Sequence, residues 1–306
     1  MKTAAIVGAG LIGRAWALVF ARAGWRVMAW DPSAEVRADL PPALKAEADS
    51  LAAHGLLADP AAALGRVNVA ETLAAALEDA DFVQENGPEQ AEIKRALFGE
   101  MDALAPAGAI IASSTSAITP SQFTEGLAGR ARCLVGHPVN PPHLMPLVEL
   151  FGPDRDRIAD AVEFYRGFGR HPVTLKREAV GHIANRLSSA LWREAVNIVA
   201  EDIADVAAVD EALVYGPGLR WSVMGAHMSY HLGGGQGGIA HYLDHLGPSQ
   251  ERRWQDLGSP SLDDETCAAL VAGIAQEAGG RDITTLEKAR DTALIAIQRV
   301  LNEKRP

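Results

Sequence analysis

The stretch that most constrains this chain is Ala4-Ala5-Ile6-Val7-Gly8-Ala9-Gly10-Leu11-Ile12-Gly13. A short apolar run suits a strand buried on both faces. Glycines at 8, 10 and 13 then lead into an apolar helical pattern with Ala15, Ala17, Leu18 and Ala21, which stops at Gly24. Each glycine has a separate task. Gly8 permits the tight turn, Gly10 lets the backbone approach a pyrophosphate, and Gly13 lets the helix lie close to the strand. The helix start at Leu11 and Ile12 offers free N–H groups and the positive end of the helix dipole to an anion. A second apolar run, Val27-Met28-Ala29-Trp30, ends at Asp31. A carboxylate at that distance accepts hydrogen bonds from an adenosine ribose and repels a 2′-phosphate. The pattern therefore predicts a dinucleotide site that takes NAD in preference to NADP. A glycine turn with a purely structural use is the ordinary alternative, and Arg37 is the one nearby cation.

Composition excludes several classes. The chain has 306 residues, 48% of them hydrophobic and 22% charged, enough for two domains of a globular protein. A net charge of −11 opposes binding to nucleic acid or to an anionic membrane. No apolar run reaches membrane-spanning length, and the N-terminal residues enter a strand with no basic segment or cleavage site. Cys133 and Cys267 lack metal-ligand spacing and read as two buried, reduced thiols. A cytoplasmic protein without a metal is expected.

Strand and helix patterns then alternate. A helical, acidic segment from Ala34 to about His54 is broken by Pro41-Pro42. Short strands are expected at 67–69, 81–84, 109–112, 132–136, 147–151 and 172–175, with helices at 72–77 and 154–168 and an amphipathic helix carrying Ile93, Ala96, Leu97 and Met101 at helical spacing. Such alternation predicts a parallel, doubly wound α/β sheet, with ligands beyond the carboxyl ends of its strands. From Leu187 onward the pattern is helical. The expected division is a Rossmann-type NAD-binding domain over 1–186 and a smaller all-helical domain over 187–306. Gly233-Gly234-Gly235-Gln236-Gly237-Gly238 is expected to form a flexible loop in the latter.

Four polar residues fall at strand ends or at the boundary: Ser116, His137, Glu149 and Asn185. Oxidising an alcohol carbon requires a base for the hydroxyl proton, which a neutral histidine supplies and a carboxylate supports. Neutral donors hold the developing carbonyl oxygen. Glu149 lies in an apolar strand, where an unpaired carboxylate is costly, so it requires a partner. Each residue also has an ordinary use: Ser116 and Asn185 as caps, His137 as a satisfied histidine beside a proline turn.

These motifs together resemble the 3-hydroxyacyl-CoA dehydrogenase family. The resemblance runs through the glycine turn and Asp31, Ser113-Ser114-Thr115-Ser116, Gly136-His137-Pro138-Val139-Asn140-Pro141 with Glu149, and Gly181 to Arg186. Pro142, Pro146-Leu147-Val148-Glu149-Leu150, and Ser114-Thr115 in place of Asn-Thr are most similar to its λ-crystallin and L-gulonate 3-dehydrogenase branch. The resemblance implies that His137 is the general base, Glu149 its partner, and Ser116 and Asn185 the residues that contact the substrate oxygen. It also implies that Glu85 and Lys94 contact the cofactor, although Gly87-Pro88 departs from the family pattern there. The implied reaction is NAD-dependent oxidation of the 3-hydroxyl of a small, L-gulonate-like hydroxy acid. Arg220 is the candidate for the substrate carboxylate and Arg186 the next.

The acidic segment between Glu35 and Asp59 disfavours the phosphates of CoA. Even so, 3-hydroxybutyryl-CoA remains an alternative substrate, and so does L-carnitine. The Gly216-to-Trp221 stretch is similar to L-carnitine dehydrogenases, and Trp221, Tyr230 and Trp254 could cage a trimethylammonium group. An NADH-binding, crystallin-like structural protein is the non-enzymatic alternative, which the intact set of four opposes. A 6-phosphogluconate-type enzyme would need a lysine between Gly181 and Asn185, where there is none. The family also implies pairing of two chains through the helical domain.

Overall fold

The computed structural model describes residues 1–304. Contacts divide the chain into two compact units, Met1–Arg186 and Leu187–Pro306.

The first unit is built on an eight-stranded sheet. Its first half comprises β1 (Thr3–Val7), α1 (Leu11–Arg22), β2 (Arg26–Trp30), α2 (Ala34–Ala53), α3 (Pro60–Leu64), β3 (Val67–Val69), α4 (Leu73–Leu77) and β4 (Phe82–Glu85). Its second half comprises α5 (Ala91–Leu104), β5 (Ile110–Ser113), α6 (Pro120–Thr124), β6 (Cys133–Pro138), β7 (Leu147–Phe151), α7 (Arg155–Gly167) and β8 (His171–Thr174). The strand order is β3-β2-β1-β4-β5-β6-β7-β8. Strands β1 to β6 are parallel, and every residue of β1, β4 and β5 is buried. That is why β1 and β5 read as nearly continuous apolar runs, whereas β4 ends in the buried polar residues Gln84 and Glu85. The order reverses direction at β1 and β4, and their carboxyl ends meet in the crevice where such sheets bind ligands.

Two expectations for this unit need correction. The sheet is not wholly parallel, because β7 runs antiparallel to β6. The link between them, residues 139–146, holds no helix to carry the chain back across the sheet. Nor does Pro41-Pro42 break α2, which is continuous from Ala34 to Ala53. Two prolines remove two backbone donors. The buried stripe of Leu40, Leu44, Ala48 and Leu51 has helical spacing and continues across them, so packing holds the segment in register.

An aromatic cluster joins α1, β4 and α7. Phe82 stacks on Phe164 at 3.7 Å between ring centroids, and Trp16 on Phe20 at 5.4 Å. Tyr165, fully buried, enters beside β6 because residue 136 is glycine; a Cβ there would meet its hydroxyl oxygen.

The second unit is helical. It holds most of α8 (Ala184–Ala200), α9 (Val206–Leu213), α10 (Leu219–Trp221), α11 (Ala226–Gly233), α12 (Gly238–Asp256), α13 (Asp264–Ala278) and α14 (Ile283–Lys304). The glycine-rich segment, expected as a flexible loop, forms a short 3-10 turn over Gly235–Gly237 between α11 and α12. Gly235 and Gly238 have φ of +61° and +60°, and the Ile239 amide donates to His231 Nδ1 at 3.1 Å. Cys133 is buried, with burial pushing its thiol up to about 12, but Cys267 is exposed, contrary to expectation. Among the described residues no helix is long and apolar enough to cross a membrane.

Candidate active site

The glycine turn is as tight as its sequence requires. Gly8 adopts φ +88°, and a Cβ there would lie 2.8 Å from the Asn86 backbone. A Cβ on Gly13 would overlap the Gly8 carbonyl oxygen, whereas Gly10 has open space around it. No side chain caps α1 at Gly10, so its first-turn amides, including those of Leu11 and Ile12, are open to an anion. Asp31 closes the far side of the turn, accepting from the Ala9 amide at 2.9 Å and the Ser33 amide at 2.9 Å. Arg37 donates to the carbonyl oxygens of Asp31 and Pro32 and pairs with Glu71 at 3.5 Å. An open glycine, uncapped amides and a terminal aspartate fit the diphosphate and ribose of a dinucleotide.

Beside this turn, within the first unit, is a cleft of about 450 Å³. Its lining includes Ile12, Glu89, Ser116, His137, Asn140 and Asn185. His137 and Glu149 face each other as a register pair of β6 and β7, which places side chains on one side of the sheet. Nδ1 of His137 lies 2.9 Å from Oε2 of Glu149, with both residues buried. The other carboxylate oxygen accepts from the Ile183 amide at 2.7 Å and the Ala184 amide at 3.0 Å, where α8 begins. Burial alone would raise the Glu149 carboxyl. The bonds from His137 and the two amides outweigh it and hold that carboxyl below its ordinary value. With Nδ1 donating to a carboxylate, the assigned neutral tautomer leaves Nε2 as the acceptor.

Ser116 and Asn185 are brought together: Asn185 Nδ2 donates to the Ser116 carbonyl oxygen at 3.1 Å. Ser116 in turn is organised by Glu89, a residue that the sequence did not single out. One Glu89 oxygen accepts from the Thr115 hydroxyl at 2.7 Å, the Ser116 and Ala117 amides at 2.9 and 2.8 Å, and the Ser116 hydroxyl at 3.2 Å. Partial burial would raise its carboxyl, but these bonds and nearby Lys94 lower it. A lone glutamate in a loop has no spacing signal, so nothing in the sequence marked it.

Glu85 and Lys94 meet each other instead of opening to solvent. Lys94 Nζ lies 2.9 and 3.0 Å from the two Glu85 oxygens, and both residues are at most 1% exposed. The Ser113 hydroxyl also donates to Glu85, at 2.5 Å. Glu89 is 3.9 Å from the same ammonium, with 40% of its side chain exposed. Behind the cleft, Gln84 accepts from Tyr165 at 2.5 Å and donates to Ser114 Oγ at 2.8 Å. Ser114 donates to Asn86, and Asn86 donates to the Val7 and Gly8 carbonyl oxygens. This network ties the strand ends to the glycine turn. Arg220 belongs to the second unit, exposed on α10.

Two family models match the chain: the NAD-binding domain of 3-hydroxyacyl-CoA dehydrogenase over residues 3–179, and its C-terminal domain over residues 181–276. The chain belongs to the 3-hydroxyacyl-CoA dehydrogenase family. It is therefore an oxidoreductase of that NAD-dependent family. It is 42% identical over 308 residues to an L-carnitine dehydrogenase of Nocardiopsis dassonvillei, covering 99% of this chain and 92% of the relative. It is 41% identical over 309 residues to one of Streptomyces coelicolor (100% and 96% covered), and 37% identical over 300 residues to one of Pseudomonas putida (97% and 93%). Among solved structures, the NAD+-dependent dismutase FHMPC 5-dehydrogenase superposes with a TM-score of 0.82 at 26% identity, covering 100% of both chains. The 3-hydroxybutyryl-CoA dehydrogenase of Escherichia coli gives a TM-score of 0.65 at 27% identity, covering 69% of this chain and 46% of that one. Within the family, these sequence relatives favour the L-carnitine alternative over the L-gulonate reading.

Proposed function

We propose that this chain is an NAD-dependent L-carnitine dehydrogenase that oxidises the 3-hydroxyl to a ketone. The observation that carries the chemistry is the His137–Glu149 pair on the same cleft as Ser116 and Asn185. The carnitine reading is supported by the relatives named L-carnitine dehydrogenase, each aligned over nearly the whole chain.

His137 takes the hydroxyl proton at Nε2, and the resulting imidazolium is stabilised by Glu149, which stays ionised. Ser116 keeps its amide bond to Glu89 while its hydroxyl turns from that carboxylate to the substrate oxygen. Asn185 uses one amide hydrogen on the Ser116 carbonyl and offers the other to the same oxygen. Both donors are neutral, so they favour the developing carbonyl without opposing the cation on His137. NAD, when bound, accepts the hydride from the carbinol carbon. The amides of Gly10, Leu11 and Ile12, beside Gly8 and Gly13, would hold its diphosphate, and Asp31 would accept from its adenosine ribose. Glu89, not buried Glu85, is the carboxylate available to the nicotinamide ribose, with Lys94 and Glu85 acting from behind it. In the second unit, Arg220 is the candidate partner of the substrate carboxylate. Exposed Trp221, Tyr230 and Trp254 are candidates for the trimethylammonium.

The test is NADH formation with L-carnitine, L-gulonate, 3-hydroxybutyrate and 3-hydroxybutyryl-CoA. Turnover with L-carnitine is expected to exceed that with the others, and His137→Ala to lose about 10³-fold or more in kcat while still binding NADH. Preference for another of these substrates refutes the carnitine assignment. NADH binding with no turnover of any substrate favours the crystallin-like alternative. The second unit also exposes Trp192, Tyr215, Val271 and Ile283 at 55, 78, 70 and 73%. Apolar exposure of this extent suits an interface between two copies, and light scattering at micromolar concentration is expected to give a dimer mass.

A further inference from the structure

His182 has no part in the mechanism above, yet it occupies a costly position. It is 2% exposed and adopts φ +49°, a left-handed conformation in which glycine or asparagine would be less strained. Its imidazole Nε2 lies 3.0 Å from the Thr115 carbonyl oxygen. A carbonyl only accepts, so Nε2 carries the hydrogen. Its ring centroid is 5.1 Å from that of His137, at an interplanar angle of 44°.

The neighbours of His182 give that position its meaning. Thr115 precedes Ser116 and shares the Glu89 oxygen with it. The two amides after His182, those of Ile183 and Ala184, are the pair that holds Glu149. Asn185 follows and returns to the Ser116 carbonyl. One residue therefore lies where the base, the base's carboxylate and both oxygen-binding groups meet.

We propose that His182 is a positioning residue, whose Nε2–H bond to Thr115 and contact with the His137 ring lock the oxygen-binding turn and the general base into one rigid unit. The inference rests on the dehydrogenase reading of this cleft. Phenylalanine at 182 keeps a ring of similar size but loses the bond; glutamine keeps an N–H donor but loses the ring. The charged or titratable groups facing His182 are His137, Glu149 and Glu89. Burial and the nearness of His137 favour a neutral His182, against the Thr115 bond and the two carboxylates, and its pKa is lowered on balance. A neutral ring adds no second cation beside His137 when the latter takes up a proton.

The test has two parts. In steady-state kinetics with L-carnitine and NAD, His182→Phe is expected to lower kcat about 10-fold, the scale of one lost hydrogen bond, with KM for NAD unchanged. His182→Gln is expected to recover part of that loss. A loss confined to KM, or a phenylalanine variant with wild-type kcat, overturns the proposal. The second part needs no substrate. In histidine-labelled wild-type protein held above about pH 7.5, where an ordinary histidine is neutral, two-bond 1H–15N spectra are expected to show His182 as the neutral Nε2–H tautomer that the Thr115 carbonyl requires. The Nδ1–H tautomer, which leaves no donor for Thr115, overturns it. If wild-type protein fails to turn over L-carnitine while the spectra show the neutral Nε2–H form, the substrate assignment has failed and the Thr115 lock stands.

Discussion

Replacing Glu149 by glutamine separates charge from shape at the centre of the cleft. The wild-type carboxylate accepts three hydrogen bonds: one from His137 and two from the Ile183 and Ala184 amides. Glutamine has one oxygen and one NH2 group. The oxygen must face the two amides, because the opposite orientation would set N–H against N–H. The NH2 group then faces His137 Nδ1 and forces it to accept. Nε2 of the neutral ring must then carry the hydrogen, the tautomer that cannot take a proton from the substrate. The two amide bonds survive, so the stability loss is limited to one charge-assisted bond, about 1–3 kcal/mol. Catalysis loses far more. An amide behind the catalytic histidine of a serine protease costs about 10⁴-fold, and about 10³–10⁴-fold in kcat is expected here, or about 4–5.5 kcal/mol of barrier. The assay is NADH formation beside a thermal melt and an NADH fluorescence titration. A glutamine variant within about 10-fold of wild-type kcat, correctly folded and binding NADH, would show that the carboxylate does not set the tautomer. The pH dependence has the same origin. The Glu149 carboxyl is held below its ordinary value in the folded chain. Its stabilising contribution is therefore present above about pH 4.5, the unfolded value, and fades as pH falls through the lower folded one. Between those limits the folded state should lose less stability on acidification than it would with an ordinary carboxylate there, as acid unfolding followed by circular dichroism would show.

Gly13→Ala would gain about 1 kcal/mol of helix propensity in isolation, but its Cβ overlaps the Gly8 carbonyl oxygen, and rigid backbone on both sides makes the steric cost of about 1–3 kcal/mol the larger effect. Lower melting temperature and weakened NADH binding are expected in a thermal melt and a fluorescence titration, and unchanged binding would contradict the close approach of helix and strand. Lys94→Met leaves the Glu85 carboxylate buried without its cation, a loss of about 3–5 kcal/mol in denaturant unfolding; a loss below about 1 kcal/mol would mean that Glu85 finds water or another donor.

What the sequence determined by itself was local. The glycine turn, Asp31 and the run of buried strands are set by backbone sterics and by side chains near in sequence, so they are legible as pattern. The resemblance supplied roles for His137, Glu149, Ser116 and Asn185. That His137 and Glu149 lie opposite each other depends on an antiparallel β6–β7 register, and the expected all-parallel sheet did not contain it. Buried Glu85, the last residue of β4, and half-exposed Glu89, in the loop after it, lie four positions apart, and no periodicity distinguishes them. Glu85 turns inward to Lys94 because it ends a fully buried strand and meets there the buried lysine of α5. The continuity of α2 through Pro41-Pro42 likewise came from the packing of its own stripe, Leu40, Leu44, Ala48 and Leu51, in a helix that lies against α1 and α3. The place of His182 beside His137, Thr115 and Glu149 was decided only by tertiary structure, because those groups come from segments dozens of residues apart. Hydrogen bonds and burial act through space, and a linear pattern records only those whose partners are also neighbours along the chain.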